Sequence, residues 1–124
     1  MIKGIGIDII EIERVQEKIG RDNGFKQKVF SDAEISFCES KANRGQHYAA
    51  RFAAKEAFLK ATGFGLTAGF SLHQIEVCSD ETGRPYIALH GTFREQAAKY
   101  GWNKIHVSLS HVHAAACAVV IIES

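Results

Sequence analysis

His47-Tyr48-Ala49-Ala50-Arg51-Phe52-Ala53-Ala54-Lys55-Glu56-Ala57-Phe58-Leu59-Lys60-Ala61 is the stretch on which the reading of this chain turns. It holds no glycine or proline, is rich in alanine, and has strong helix propensity. With successive residues 100° apart, Ala49, Phe52, Ala53, Glu56 and Lys60 share one face, with Leu59 at its edge. A carboxylate and an ammonium one turn apart therefore fall where an apolar core is expected. Charge in a core is costly unless it is paired or ligated. Two readings follow. Glu56 and Lys60 form a solvated i,i+4 pair, or Glu56 is a metal carboxylate with a phosphate-binding lysine beside it.

Upstream, residues 2–10 predict a strand with Ile5, Ile7 and Ile9 on one face and Ile2, Gly4, Gly6, Asp8 and Ile10 on the other. The second face is unusual, because two glycines leave room above the sheet just before an acid. Glu11 to Ile19 predicts a short helix with Ile12, Val15 and Ile19 inward, closed by Gly20. Ser31-Asp32-Ala33-Glu34 matches a capping box and should open a helix running to about Lys41. Residues 42–46 are expected to be a loop, and the central helix should stop at Thr62-Gly63.

Downstream, the segment from Gly63 to Gly69 carries three glycines and is expected to be a loop. It lacks the strand–GxxxxGK–helix context of a Walker loop. Residues 75–78 and 86–89 predict strands joined by a turn, and 92–100 a helix with Phe93, Ala97 and Tyr100 inward and Gly101 as its stop. Residues 105–110 and 114–122 predict a closing hairpin of mainly apolar strands. The order β-α-α-α-β-β-α-β-β points to an α+β fold, a largely antiparallel sheet with a long central helix packed on it. One domain spanning 1–124 is expected from the length.

Composition narrows the function. Hydrophobic content of 46% and charged content of 23% are ordinary globular values. A net charge of +1 leaves no footprint for nonspecific binding to nucleic acid or an anionic membrane, so anion recognition must be local. The MIKGIGIDII start is too short to span a bilayer and lacks signal-peptide features. Cys38, Cys78 and Cys117 are odd in number and widely spaced, which fits reduced thiols in a cytoplasmic protein.

Asp8 and Glu56 are the leading pair of acids. Two carboxylates are too few for an all-protein cage but suit Mg²⁺ completed by waters and substrate phosphates. The alternative is that Asp8 caps the helix after it. Lys55, Lys60 and Arg51 are cations on the central helix, with Arg51 about 140° around the axis from Glu56. If both serve one ligand, it wraps the helix or Arg51 serves a neighbouring subunit; otherwise Arg51 is a surface charge. His106, Ser108 and Ser110 alternate on one strand face, and His111 and His113 follow at the turn. These groups suit phosphate binding or acid–base work, whereas a transition-metal site with Cys117 lacks a completing ligand. His47, His73 and His90 are read as surface or boundary residues. The first helix carries Arg14, Lys18 and Arg21 on a local basic face suited to an acidic partner.

Three segments together carry a family resemblance. Gly6-Ile7-Asp8-Ile9-Ile10-Glu11-Ile12-Glu13-Arg14 resembles the GIDxxxIxR signature of holo-acyl-carrier-protein synthase, a 4′-phosphopantetheinyl transferase. Residues 51–61 resemble that family's RFAAKEAxxKA helix, and Ser108-Leu109-Ser110-His111 its SxSH strand end. Phe30 to Glu34, Ile75 to Val77 and Gly83 to Pro85 are similar too, so the likeness covers nearly the whole chain. The departures are Val112 to Ala115 after the strand end, and His73-Gln74 where an acid often stands.

The resemblance implies transfer of 4′-phosphopantetheine from coenzyme A to a serine of apo acyl carrier protein, releasing adenosine 3′,5′-bisphosphate and supporting fatty acid biosynthesis. It assigns Asp8 and Glu56 to Mg²⁺, and Lys60 to the pyrophosphate and the departing charge. It gives Arg51 and His111 the adenosine end, with Lys55, Gly63 and Pro85 as further coenzyme A contacts. Arg14, Lys18 and Arg21 would face the acidic carrier protein. The general base is left between a water held by Glu56 and a carboxylate such as Asp32. Family members are typically homotrimers with sites shared between subunits.

Overall fold

The computed structural model describes residues 1–21, 23–64 and 71–124. Strand β1 (Ile2–Glu11) leads into helices α1 (Ile12–Gly20), α2 (Phe25–Val29), α3 (Asp32–Glu39) and α4 (Arg44–Thr62). A short 3-10 turn (Leu72–Gln74) precedes β2 (Ile75–Ser79) and β3 (Pro85–Leu89). Helix α5 (Gly91–Tyr100), β4 (Lys104–His111) and β5 (Ala115–Glu123) complete the described elements. All pairing is antiparallel, with β5 central in a β1-β5-β4 sheet and β2 paired with β3 in a second. The expected α+β architecture is therefore observed.

The two glycines of β1 explain how α4 docks. A Cβ on Gly6 would lie 1.9 Å from the Ala57 carbonyl oxygen, and one on Gly4 1.8 Å from that of Ala61. Only a bare backbone lets the helix approach so closely, and the small Ala57 and Ala61 complete the fit. On the same sheet face Ala116, Ala118, Val120 and Ile122 of β5 are buried. Ile75, Val77, Phe58, Phe93 and Trp102 extend this core toward the second sheet. A second cluster joins Ile12, Val15 and Ile19 of α1 to Phe30, Tyr48 and Ala49. The opposite sheet face stays open, with Ile5, Ile7 and Ile9 65%, 66% and 71% exposed.

Several expectations change. The stripe of α4 expected to point inward is only partly buried: Ala49 and Ala53 are buried, but Phe52 and Glu56 are half-buried and Lys60 is exposed. Eleven α4 residues are buried in all, among them Arg51 and Lys55, which lie off that stripe. A helix covered on nearly every side has no apolar stripe to read. Helix α4 also begins at Arg44, earlier than expected, and α3 ends at Glu39. Helix α2 and the 3-10 turn were not anticipated. Tyr100 is 39% exposed, stacked on Trp102 rather than inward. The loop expected at 63–69 lies mostly outside the described residues, although Gly63 does close α4 with φ 78°.

Candidate functional site

Two groups of side chains stand on opposite edges of the three-stranded sheet. The first gathers at β1. Lys60 Nζ donates to Asp8 Oδ1 at 2.9 Å and to the Ile7 carbonyl at 3.0 Å. The partner of Lys60 is thus Asp8, and the alternative of a Glu56–Lys60 pair is replaced. Nor does Asp8 cap α1, whose N-cap position is Glu11 with no side-chain bond.

Asp8 Oδ2 is buried with no hydrogen-bond partner among the described residues. Glu56 is half-buried, and its pKa is raised by that burial first and by the Asp8 charge second, with Lys60 and Lys18 opposing. A second carboxylate thus stands within electrostatic reach of an unsatisfied carboxylate oxygen. Hard oxygens lacking a partner suit a small divalent cation that takes its remaining ligands from water and phosphate. No group of three or more His, Cys, Asp or Glu residues that could hold a metal ion occurs among the described residues. Asp8 and Glu56 are the residues at this edge that could hold such an ion.

The second group lines a pocket of about 480 Å³ at β4. Arg51 enters it from α4, His111 from the end of β4, and Arg84 and Pro85 from the β2–β3 turn. Ser108 and Ser110 border it as well. Arg51 is only 4% exposed, its Cζ lies 4.1 Å from the Phe37 ring centroid, and its Nε has no hydrogen-bond partner among the described residues. A stacked, desolvated guanidinium with a spare donor is poised for an anion, which rules out the surface-charge reading of Arg51. His106 turns away to Glu123, and His113 is exposed in the final turn.

Lys55 requires a correction. It is fully buried, with Nζ donating to Glu34 Oε1 at 2.7 Å and to the carbonyls of Leu72 and Ile75. All three of its protons are committed, so it has none left for a coenzyme. Its carboxylate partner belongs to the capping box: Glu34 Oε1 also accepts from Ser31 N, and Oε2 from Val77 N. The sequence reading found the box but not the buried ion pair behind it. Gly63 is exposed at the end of α4, while Pro85 sits in the wall of the basic pocket.

On α1, Arg14 is exposed and Lys18 half-buried, and both border a groove of about 220 Å³ with Ile10 and Phe52. Arg21 is paired with Glu17. Asp32 is exposed at the start of α3. His47, expected only as a boundary residue, lines the basic pocket.

A family model described as the 4′-phosphopantetheinyl transferase superfamily matches residues 4–120. A holo-[acyl-carrier-protein] synthase from Syntrophus aciditrophicus is 48% identical over 99% of this chain and 97% of its own. The chain belongs to the holo-acyl-carrier-protein synthase family. Solved structures agree. The holo-[acyl-carrier-protein] synthase of Neisseria meningitidis superposes with a TM-score of 0.90 at 27% identity, covering 100% of both chains. That of Helicobacter pylori, in complex with coenzyme A, gives 0.84 at 30% identity over 96% of this chain and 99% of its own. As a synthase of this family the chain is an enzyme, a 4′-phosphopantetheinyl transferase.

Proposed function

We propose that the protein transfers 4′-phosphopantetheine from coenzyme A to a serine of apo acyl carrier protein, with Mg²⁺, and so supports fatty acid biosynthesis in the cytoplasm. The observation that carries the reading is the buried, unpartnered Asp8 Oδ2, with Glu56 and Lys60 beside it, across the sheet from a basic pocket. The serine hydroxyl attacks the pyrophosphate phosphorus that bears the pantetheine arm. The bond to the bridging oxygen breaks, the serine proton passes to water at the site, and adenosine 3′,5′-bisphosphate departs. Mg²⁺ held by Asp8 and Glu56 would neutralise the phosphate oxygens as that bond breaks.

The remaining work falls to this chain's own residues. Lys60, exposed but anchored by Asp8 and the Ile7 carbonyl, is placed to meet charge growing on the leaving phosphate. Arg51 and His111 offer donors for the phosphorylated adenosine end. Arg14 supplies positive charge to an acidic carrier protein from the solvent side of α1. Free thiols at Cys38, Cys78 and Cys117 accord with a reducing compartment, and no helix among the described residues is long and apolar enough to cross a membrane.

The two groups act together across a subunit boundary, in a homotrimer. Asp8 lies on β1 and His111 on β4, the two edges of one sheet, and Arg51 and Glu56 diverge around α4. The open sheet face bearing Ile5, Ile7 and Ile9 supplies the apolar surface for association. Mixing Arg51→Ala with Glu56→Gln protein under conditions of subunit exchange should restore activity through hybrid sites. A monomer by sedimentation at working concentration would overturn the shared site.

A further inference from the structure

Among the groups lining the basic pocket, His47 is one that neither the family signature nor the preceding reading uses. His47 stands one turn before Arg51 on α4, so the two side chains share a face. Its ring packs edge-on against Phe37, with centroids 5.6 Å apart, and Phe37 also carries the Arg51 guanidinium. His111 closes the same pocket from β4. Among the described residues, no hydrogen bond ties down either ring nitrogen of His47.

Resting on the reading of this pocket as the seat of a phosphorylated adenosine, we propose that His47 is an additional phosphate-contacting residue that becomes protonated when a phosphomonoester enters. The titratable and charged groups around it are all positive or neutral: Arg51 on its own helix, Lys41 from the segment after α3, His111 from β4, and Arg84, which lines the same pocket from the β2–β3 turn. Burial acts first, and the charges of Arg51, Lys41 and His111 next, to hold its pKa below the ordinary histidine value. A phosphate dianion reverses the balance by placing negative charge where only cations stood. Imidazole then gains a proton and donates a charge-assisted hydrogen bond. Binding is thereby linked to proton uptake, and it tightens as pH falls toward the acid side of neutrality. Arg51 is charged at every physiological pH, so His47 is what makes the pocket sense the charge state of its ligand.

The experiment follows the His47 Cε1–H signal by NMR across pH 5 to 9, for the full chain alone and with saturating adenosine 3′,5′-bisphosphate or adenosine 5′-monophosphate. The proposal expects its midpoint to rise clearly with the bisphosphate, whose 3′-phosphomonoester is the group placed at Arg51 and His47, and much less with the 5′-monophosphate, which lacks it. His47→Gln keeps a neutral donor and removes the charge. It should weaken bisphosphate binding about tenfold at pH 6, the worth of one charge-assisted bond, and much less at pH 8. A midpoint unmoved by bound bisphosphate, or His47→Gln losing equally at both pH values, overturns the proposal and leaves the functional reading standing. Proton uptake that survives in His47→Gln but vanishes in His111→Gln reassigns the effect to His111 and also overturns it. Failure of the unaltered protein to bind the bisphosphate overturns this proposal and the functional reading together.

Discussion

Replacing Lys55 with methionine distinguishes a core lysine from a coenzyme ligand. Methionine matches the length of the side chain but not its charge. The substitution strips Glu34 Oε1 of its cation and leaves the carbonyls of Leu72 and Ile75 without this donor, all where Lys55 is fully buried. Removing one partner of a buried pair costs about 3–5 kcal/mol. The remaining bonds of Glu34 to Ser31 N and Val77 N temper the loss toward the lower end. Unfolding entropy of about 2.1 cal/mol/K per residue over 124 residues gives about 0.26 kcal/mol/K, so Tm should fall by about 12–19 °C. Pairing Lys55→Met with Glu34→Gln should cost less than the two single changes added together, because the pair acts as a unit. Calorimetry gives Tm, and initial rates at a temperature where the variant stays folded give KM for coenzyme A, expected to be unchanged. A Tm within 2 °C of the parent with a raised KM would refute the argument and return Lys55 to the coenzyme site.

Three further outcomes are expected. Asp8→Asn and Glu56→Gln should each abolish transfer while the protein stays folded, and their combination should lose little more than either alone; independent, multiplicative losses in kcat/KM would argue against one shared ion. Arg14→Glu should raise KM for carrier protein and flatten its dependence on salt between about 50 and 500 mM, leaving KM for coenzyme A alone, because Arg14 is exposed while the neighbouring Glu17 is engaged by Arg21. Glu39, held down to about 2 by the Tyr48 hydroxyl first and by Arg44 and Lys26 after it, has its folded pKa below the unfolded one. Its stabilising effect is thus present above about pH 4.5 and lost as pH falls toward 2, so the Tm gap between the parent and Glu39→Gln should hold above pH 5 and close below it.

Much of the fold was legible because β1 and the capping box obey local rules. Alternation along Ile5, Ile7 and Ile9 against Gly4, Gly6 and Asp8 identified both faces of β1, and the glycines do mark the close approach of α4. Ser31 and Glu34 form the expected reciprocal bonds. The reading failed where burial is not one-sided. Helix α4 is covered nearly all round, so its polar residues could not be sorted by angle into core and margin. The Glu34–Lys55 pair joins residues 21 apart, and no spacing rule connects them. Helix α2 has only five residues, too few to show a period. For the candidate site, residue type and motif single out Asp8, Glu56 and Lys60. That they stand across the sheet from Arg51 and His111 follows from β5 lying between β1 and β4, a pairing between distant parts of the chain. His47 was passed over for the same reason, since only the tertiary structure brings it to His111 and Arg84.

The most direct test of transferase activity is the mass of apo acyl carrier protein after incubation with this protein, coenzyme A and Mg²⁺. The expected result is a gain of one 4′-phosphopantetheine group on the carrier, with adenosine 3′,5′-bisphosphate released in equal amount. The gain should be absent when EDTA is added or Asp8→Asn replaces the parent. A carrier that keeps its apo mass with the folded parent protein, or is modified equally well by Asp8→Asn, would contradict the account.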